Sequence, residues 1–313
     1  MNCSTFIKKQ IEEMRKTVGK GKVISALSGG VDSSVATVLG HRAVGKQMKV
    51  IFIDDGLMRQ DEPRQVKDTF AKLGIKLQII DAKKKFFAAL KGLTDPEEKR
   101  KVFRDTFYKT FGKAVKDSKA TFLLQGTIAA DVIETKKAVK TQHNVLEQIG
   151  IDPKKGYGYR ILEPLKTIFK DEVRKVGKAL GLPRAIYERM PFPGPGLATR
   201  VVGEVTPKRT EIVRKACAIV EQEIARAGLK PFQSFGVLLD DKATGLTKKG
   251  GRAFGDIVVV RSVESKNAMT ADVTRIPWAT LERIQRRIVN EIPSVTKVLH
   301  DITPKPPSTI EYI

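Results

Sequence analysis

The segment "ALSGGVDSSVATV" (residues 26–38) decides how the fold of this chain is interpreted. It follows a short apolar run and precedes a helical pattern, so the chain turns sharply at Gly29 and Gly30. Glycine permits positive φ and lets the backbone approach a ligand closely. Backbone N–H groups at such a turn, together with the start of the next helix, form an anion site. The segment therefore predicts a phosphate-binding loop after a β-strand.

The loop lacks the lysine with which Walker-type nucleotide loops reach the β- and γ-phosphates. Instead it offers hydroxyl groups from Ser28, Ser33 and Ser34, and one carboxylate, Asp32. A carboxylate among phosphates is favourable when Mg²⁺ lies between them, because Mg²⁺ joins one or two carboxylates to phosphate oxygens. Asp32 is therefore predicted to be a metal ligand. A glycine turn followed by a Ser/Asp helix cap is the alternative interpretation.

Apolar strands alternate with amphipathic helices up to about residue 190. The predicted strands are residues 22–27, 49–54, 76–81 and 120–126. This alternation predicts an α/β fold: a twisted parallel sheet with helices on both faces, and ligands at the carboxyl ends of the strands. A polar stretch at residues 134–160 interrupts the pattern. A long irregular stretch in a compact domain is typical of a functional lid or a disordered segment.

The Pro/Gly-rich joint "MPFPGPGLATR" (190–200) predicts a division into two domains, residues 1–190 and 191–313. In the second part, the predicted strands no longer alternate regularly with helices. Its predicted elements are a helix near 207–227, a strand at 233–239, a Gly/Lys loop at 245–255, a strand at 256–263, a helix near 278–291 and a strand at 294–302. This order predicts a smaller α+β domain.

The composition limits the classes of partner. Lys and Arg number 58 against 35 acidic residues, a formal net charge of +23. This excess fits a lysine-rich surface first, anionic small ligands next and nucleic acid least, because aromatic residues are only 6% and no base-stacking surface is obvious. Two cysteines are too few for a disulfide framework. A charged N-terminus and the lack of a long apolar run predict a cytoplasmic protein without a membrane span.

The segment "SGGVDSS" (28–34) resembles the PP-loop of the ATP pyrophosphatases, which split ATP between the α- and β-phosphates. The resemblance implies that this loop holds the departing pyrophosphate. The motif is specific for the superfamily but does not choose among its members. These include NAD synthetases, argininosuccinate synthetases, tRNA thiolases and GMP synthetases.

Seven further segments resemble the GMP synthetases. They are residues 51–59, 95–103, 125–134, 163–177, 191–205, 269–278 and 301–311. The other PP-loop families lack the joint "PFPGPGL" and the tail "KPPSTIE". The PP-loop begins only 28 residues into the chain, without the glutaminase domain that precedes it in the family. The resemblance therefore implies the separate ATP pyrophosphatase subunit of a two-subunit enzyme, with a glutaminase subunit as its partner.

The implied reaction converts XMP, ATP and ammonia to GMP, AMP and pyrophosphate, with Mg²⁺. The resemblance assigns catalytic roles to Asp32, Asp131, Glu134, Lys140, His143, Lys170 and Asp171. It assigns ATP and pyrophosphate binding to Ser28, Gly29, Gly30, Val31, Asp32, Ser33, Ser34, Asp54, Leu57, Gln125, Gly126 and Thr127. Lys140 would act once the lid closes and expels water. Solvated helix faces and helix-end ion pairs are the alternatives for the acidic and basic members.

XMP binding is assigned by the same resemblance to the joint and the tail. The residues are Arg200, Lys305, Thr309, Ile310 and Glu311. The family also forms a homodimer through the second domain. A frayed terminus is the alternative for the tail, although its prolines favour a pre-ordered extended segment.

The chain departs from the family pattern mainly in the lid and near the XMP site. The departures are Gln142, Leu146, Glu147, Met190, the loop Lys249–Arg252, the pair Ala129-Ala130 and the terminal Tyr312-Ile313. They concern ammonia delivery and lid closure rather than the ATP chemistry. Two other hypotheses stay open: another PP-loop ligase or tRNA-modifying enzyme, and a basic nucleic-acid-binding protein. A thiolase would favour a CxxC pair, which is absent, and nucleic-acid binding leaves Asp32 unexplained.

Overall fold

The computed structural model describes residues 1–136, 160–246, 250–266 and 268–313, with the side chains of 134–136 excepted. The chain forms two compact units. Unit 1 comprises Met1–Asp54, Glu62–Ala82 and Asp105–Arg189; unit 2 comprises Asp55–Asp61, Lys83–Arg104 and Met190–Ile313. Two short segments from the first part of the chain therefore belong to unit 2. The division of the chain into domains at residues 1–190 and 191–313 stays a prediction.

Unit 1 contains a five-stranded sheet whose paired strands are all parallel. The strands are β1 (Val23–Leu27), β2 (Met48–Asp54), β3 (Leu77–Asp81), β4 (Phe122–Leu124) and β5 (Arg160–Leu162), in the spatial order β3-β2-β1-β4-β5. The four strands predicted from sequence are present, and the parallel α/β fold is confirmed. Strand β5 was not predicted, because only three residues form it.

Helices lie between these strands along the chain, as parallel pairing requires. The connecting helices are α2 (Val31–Val44), α3 (Glu62–Lys72), α4 (Lys83–Leu90), α5 (Pro96–Ser118) and α6 (Ala129–Lys136). Helix α1 (Cys3–Val18) precedes β1, and α7 (Lys170–Ala179) and α8 (Arg184–Tyr187) follow β5. Helix α2 packs against α1, α7 and the central strands. Its small and β-branched residues are almost all buried, since it lies in the middle of this layer.

The order of the strands reverses beside β1. The chain leaves β1 for β2 on one side, whereas β5 lies beyond β4 on the other side. Such a reversal opens a crevice at the carboxyl ends of the two central strands, where α/β proteins bind their ligands. The predicted phosphate loop follows β1, and Gln125-Gly126-Thr127 follows β4. Both segments therefore border this crevice.

Unit 2 contains a mixed four-stranded sheet. Its elements are α9 (Pro207–Arg226), β6 (Gln233–Leu246), β7 (Arg252–Glu264), β8 (Asp272–Val273), α10 (Trp278–Glu291) and β9 (Val295–Asp301). Strands β6 and β7 are antiparallel, and β9 pairs with β7 in parallel after the crossover through α10. The predicted α+β domain is confirmed.

The predicted loop at 245–255 is wrong in extent. Strand β6 continues to Leu246 and β7 begins at Arg252, with Gly245 and Gly255 inside the strands. A Cβ added at Gly255 would lie 2.1 Å from the side chain of Thr296 on β9, and one at Gly245 would lie 2.7 Å from it. Glycine in a strand marks such close approaches as well as turns, so here it signals packing.

No helix among the described residues is long and apolar enough to cross a membrane.

Candidate active site

The phosphate loop turns at Gly29, whose φ is +76°. A Cβ at this position would lie 2.4 Å from the carboxylate of Glu62, so both the backbone angle and the neighbour require glycine. Gly30 then caps α2 with extended backbone angles and no side chain of its own. No side chain caps the first N–H groups of α2 at Gly30, and their binding of a phosphate stays a prediction.

Serine hydroxyls close the loop on itself in this structure. Ser33 Oγ lies 2.9 Å from Ser28 Oγ and accepts the N–H of Ser28 at 3.2 Å. Ser33 and Ser34 both donate their hydroxyl protons to the carbonyl of Gly30. The role of these hydroxyls in phosphate binding stays a prediction.

Gly126 brings the segment after β4 against the loop. A Cβ at Gly126 would lie 2.7 Å from the backbone carbon of Asp32 and 2.8 Å from the nitrogen of Ser33. Only glycine permits this contact between two backbones. The glycine predicted as part of the ATP site therefore fixes the distance between Gln125–Thr127 and the start of α2.

Asp32 is the charged centre of unit 1's site. Its carboxylate accepts a hydrogen bond from Lys170 Nζ at 2.5 Å. Burial raises the pKa of Asp32 above its ordinary value by more than Lys170 lowers it, and the nearby carboxylate of Asp131 raises that pKa further. The two predicted acids and the predicted lysine are thus gathered within interaction range, although 138 residues of sequence separate Asp32 from Lys170.

A Mg²⁺ ion fits this arrangement. Asp32 Oδ1 is buried and accepts no hydrogen bond from the described residues. An unpaired buried carboxylate oxygen is costly unless a cation or donor completes it. Within the residues that the structure describes, no group of three or more His, Cys, Asp or Glu side chains could hold a metal. Mg²⁺ commonly needs only one or two carboxylates when phosphates supply the remaining ligands.

Lys170 owes its position to the start of α7. It is the first residue of that helix, and Glu172 accepts the N–H of Phe169 at 3.1 Å, which caps the helix end. Helix α7 packs against α2, so the first turn of α7 lies beside Asp32. Asp171 is exposed on the same turn. Its catalytic role stays a prediction.

Two residues of unit 1 that the sequence did not single out hold the phosphate loop. Arg189 pairs with Glu62 at 2.7 Å and donates to the carbonyl of Gly29 at 3.1 Å. Glu62 is 2% exposed, so the ion pair with Arg189 lies in the interior of unit 1. The two side chains come from distant parts of the sequence of unit 1, and no local motif indicates their contact.

Several predicted residues are placed less fully. Glu134 lies on α6, but its side chain is outside the description. Asp54 is buried at the carboxyl end of β2. The residues that lie outside the described part of the chain are Lys140, Gln142, His143, Leu146, Glu147 and Lys249. The roles of all these residues stay predictions.

Leu57 lies in unit 2 and is completely buried. Its N–H donates to Asp55 at 2.7 Å, and its carbonyl accepts from Leu197 at 2.8 Å. Both backbone groups of Leu57 therefore already have protein partners. Its contact with adenine stays a prediction.

Two of the residues predicted for XMP, Arg200 and Glu311, form an ion pair in unit 2. Arg200 donates to both carboxylate oxygens of Glu311, from Nε at 3.1 Å and from NH2 at 3.0 Å. Thr199 and Gln233 donate to the same carboxylate. Arg200 and Glu311 are 111 residues apart, and the sequence did not predict that they form a pair.

Arg200 is 1% exposed and lies over the rings of Phe192 and Phe235, at 5.0 and 4.1 Å. Burial acts to lower the pKa of Arg200, but Glu311 outweighs it and raises that pKa above its ordinary value. The guanidinium is therefore a fixed charge, and it is directed at Glu311.

The terminal segment, residues 301–313, is docked on unit 2 rather than frayed. Lys305 pairs with Ala271 through both of its backbone groups and donates from Nζ to the carbonyl of Ala268 at 2.8 Å. Thr309 Oγ1 donates to the carbonyl of Glu311. Ile310 is buried against Val263 and Ala271. The alternative of a frayed terminus is thus wrong.

Lys99 is a buried amine in unit 2, for which the sequence predicted no role. It is 2% exposed and donates to the carbonyl of Val201 at 2.9 Å. Burial lowers the pKa of Lys99 to about 8, and Arg209 contributes to this decrease. The charged ammonium is therefore unfavourable in the folded state.

We expect this buried amine to make stability depend on pH. Between about pH 8 and its ordinary pKa of 10.5 the folded state has lost a proton that the unfolded state retains, so stability rises with pH. The gain is about 3 kcal/mol at most. Thermal melting of the wild type and of Lys99→Met should show the wild type gaining on the variant from pH 8 to 10.5. A constant difference across that range would contradict the prediction.

Comparison with known proteins agrees with this geometry. The fold and the loop define a PP-loop protein of the NAD synthase type, since residues 2–197 match the model of the NAD synthase family and residues 222–312 match the GMP synthase C terminal domain.

Relatives that match the whole chain narrow this class. A subunit of the glutamine-hydrolyzing GMP synthase from Thermococcus kodakarensis is 52% identical over 308 residues, 98% of each chain. The same subunit from Pyrococcus horikoshii and from Methanocaldococcus jannaschii is 50% and 49% identical, covering 100% and 98% of each chain. The chain belongs to the family of these GMP synthase subunits.

Proposed function

We propose that this chain is the ATP pyrophosphatase subunit of a GMP synthase, a ligase that forms a C–N bond. It adenylates the C2 oxygen of XMP with ATP, and ammonia then displaces AMP to give GMP. The observation that carries the proposal is the Asp32–Lys170 pair at an anion loop after β1, in a chain about half identical to GMP synthase subunits along its whole length.

The first step transfers the adenylyl group. The C2 oxygen of XMP attacks the α-phosphorus of ATP, the bond to the bridging oxygen breaks, and pyrophosphate leaves with that electron pair. The loop N–H groups and the serine hydroxyls hold the leaving pyrophosphate. Asp32 would hold Mg²⁺, which supplies neutralisation of the phosphate charge. Lys170 adds a positive charge that is already in place before reaction.

The second step forms the C–N bond. Ammonia attacks C2 of the adenylated base, the C–O bond breaks, and AMP leaves with the electron pair of that bond. A poor leaving group has been exchanged for a good one, which is the reason for the use of ATP. We propose that the predicted lid, with Lys140 and His143, excludes water at this stage.

XMP is proposed to bind unit 2. Its 5′-phosphate requires cationic and hydroxyl donors, and Lys305 and Thr309 are the partly buried and exposed candidates on the docked terminal segment. Arg200 and Glu311 are the paired charges of the same unit. Because Arg200 already has a carboxylate partner, we propose that it contacts XMP together with Glu311 rather than as a free cation.

We propose two protein partners. A glutaminase subunit supplies ammonia, in keeping with relatives that are themselves subunits of a glutamine-hydrolyzing enzyme. A second copy of the chain binds through unit 2, where large apolar side chains are exposed. They are Leu246, Phe254, Met269, Trp278 and Ile302, each more than 70% exposed.

Both cysteines are free, as in a reducing compartment, so we place the enzyme in the cytoplasm.

One assay tests the proposed function. The purified chain is mixed with XMP, MgATP and an ammonium salt, and GMP, AMP and pyrophosphate are measured. Equal amounts of the three products are expected, each dependent on XMP. Formation of ADP, or of AMP without XMP, would contradict the proposal. AMP formation that requires a tRNA instead of XMP would favour another PP-loop enzyme.

Replacing Lys305 with alanine should act on XMP alone. The change removes one charge and its contact with Ala268, but it keeps the backbone pairing that docks the terminal segment. We expect the KM for XMP to rise about tenfold, because a charge-assisted phosphate contact contributes about 1.5–3 kcal/mol. Steady-state kinetics with each substrate varied in turn checks this. A change in the KM for ATP alone would contradict the assignment of Lys305.

A further inference from the structure

Arg261 lies in the middle of β7. Among the described residues, two arginines are completely buried: Arg261 and Arg200. The side chain of Arg261 donates to four acceptors. Nε donates to the carbonyl of Ile310 at 2.9 Å, NH1 to Asp301 Oδ2 at 2.6 Å and to the carbonyl of Thr303 at 3.0 Å, and NH2 to the carbonyl of Thr309 at 2.6 Å. These acceptors all lie between residues 301 and 310.

This concentration of partners is informative because burying a guanidinium is costly unless its donors are satisfied. The ion pair with Asp301 balances the charge, and three main-chain carbonyls satisfy the other donors. These three carbonyls are satisfied by the arginine, so they do not require a hydrogen bond from a neighbouring strand or from water. The path of residues 303–310 therefore depends on the presence of this guanidinium.

The same bonds direct the side chains predicted for XMP. Arg261 holds the carbonyls of Thr309 and Ile310, the two peptide groups that lead into Glu311. Glu311 is then presented to Arg200, Thr199 and Gln233. Arg261 also donates to the carbonyl of Thr303, which lies two residues before Lys305 in the sequence. The backbone of Lys305 pairs with Ala271.

We propose that Arg261 is a positioning residue for XMP: it holds the terminal segment in the path from which Lys305, Thr309 and Glu311 bind the nucleotide. All four hydrogen bonds of Arg261 go to residues 301–310, so we infer that it acts on XMP through this segment. This inference rests on the proposed function, and it adds a residue that the resemblance did not assign. Only arginine suits the position, because its planar fork reaches several acceptors at once and the lysine ammonium is a single point charge.

Arg261→Lys tests the proposal, with Arg283→Lys as the matched control. Arg283 is also paired with a buried carboxylate in unit 2, that of Glu223, but its hydrogen bonds are made to residues of α9 and α10. Binding of XMP is measured by calorimetry, and KM values are measured for XMP and ATP. Hydrogen exchange follows the amides of residues 302–313.

For Arg261→Lys we expect XMP affinity to fall at least about tenfold, as for a lost charged hydrogen bond, the KM for ATP to stay within about twofold, and the terminal amides to exchange faster. Arg283→Lys should leave all three within about twofold. Unchanged XMP affinity, or equal increases in the two KM values, would overturn the proposal.

If Arg261→Lys does not fold, Asp301→Asn replaces it, because it removes the charge partner and keeps the three carbonyl contacts. The same selective loss is expected at smaller size, and its absence would overturn the proposal.

The wild type separates this inference from the function on which it rests. If the wild type binds no XMP, the proposed function fails before any variant is compared. If the wild type binds XMP and Arg261→Lys binds it equally well, the function stands and the positioning role fails.

Discussion

Replacing Asp32 with asparagine is expected to lower the rate of pyrophosphate release about 100- to 1,000-fold, the usual loss for a preorganised charge at a reacting phosphate. Asparagine keeps the size of the side chain but removes the negative charge that pairs with Lys170. It also removes the charge from the buried Oδ1, which has no partner among the described residues and would hold a metal. Single-turnover release of pyrophosphate from ATP in the presence of XMP measures the loss.

The stability of Asp32→Asn should not fall with its activity. Burial raises the pKa of Asp32, so above that pKa the folded state bears a charged group in an unfavourable place and is destabilised by it. Removing the ionisable group removes that cost at neutral pH. We therefore expect an unchanged or slightly higher melting temperature, as is common when an active-site charge is removed.

Asp68→Asn is the matched control for this variant. Asp68 lies on an exposed face of α3, where its pair with Arg64 is 3.8 Å long and contributes little. Its replacement should change neither rate nor melting temperature. Full activity of Asp32→Asn would show that Asp32 is not a metal ligand, and a collapse of its melting temperature would show that its role is structural.

Replacing Gly126 with alanine is expected to lower ATP turnover about 100-fold through one methyl group. The new Cβ would lie 2.7 Å from the carbon of Asp32 and 2.8 Å from the nitrogen of Ser33, both backbone atoms that cannot rotate away. The start of α2 and the segment after β4 must move apart. Because proximity and orientation supply much of the rate, a displacement of about 1 Å can cost about 100-fold.

The same collision should lower the stability of unit 1 by about 1–3 kcal/mol, the usual cost of overpacking. Gly112→Ala is its matched control, because Gly112 lies within α5 and an added Cβ there meets nothing within 4 Å. That change should stabilise the helix by up to about 1 kcal/mol and leave turnover unchanged. Normal turnover of Gly126→Ala would contradict the close approach of the two segments.

Much of the fold followed from local patterns. Alternation of apolar strands and amphipathic helices predicted four strands of the parallel sheet within about two residues, and α9 and α10 were equally clear. The loop at 245–255 was misjudged because glycine is ambiguous in sequence. It serves turns and close packing alike, and only the position of Thr296 distinguishes them.

The sequence predicted some residues of the candidate site and missed others, because only some of them belong to local motifs. Ser28–Ser34, Gly126 and Lys170 are members of contiguous motifs, so their resemblance to a family is visible residue by residue. Glu62, Arg189 and Arg261 carry no motif of their own. Each gains its role from a partner far along the chain: Arg189 contacts Gly29 across 160 residues, and Arg261 contacts Ile310 across 49.

By itself, the sequence carried the resemblance that implies the class of chemistry, because the segment "SGGVDSS" is a local property of a few adjacent residues. It also determined which segments are strands and helices, since hydrophobic periodicity is equally local. Only the tertiary structure decided which charges are paired. Arg200 with Glu311, and Arg261 with the terminal segment, are buried pairs whose cost of desolvation is offset only at contact distance, and no linear pattern records that distance.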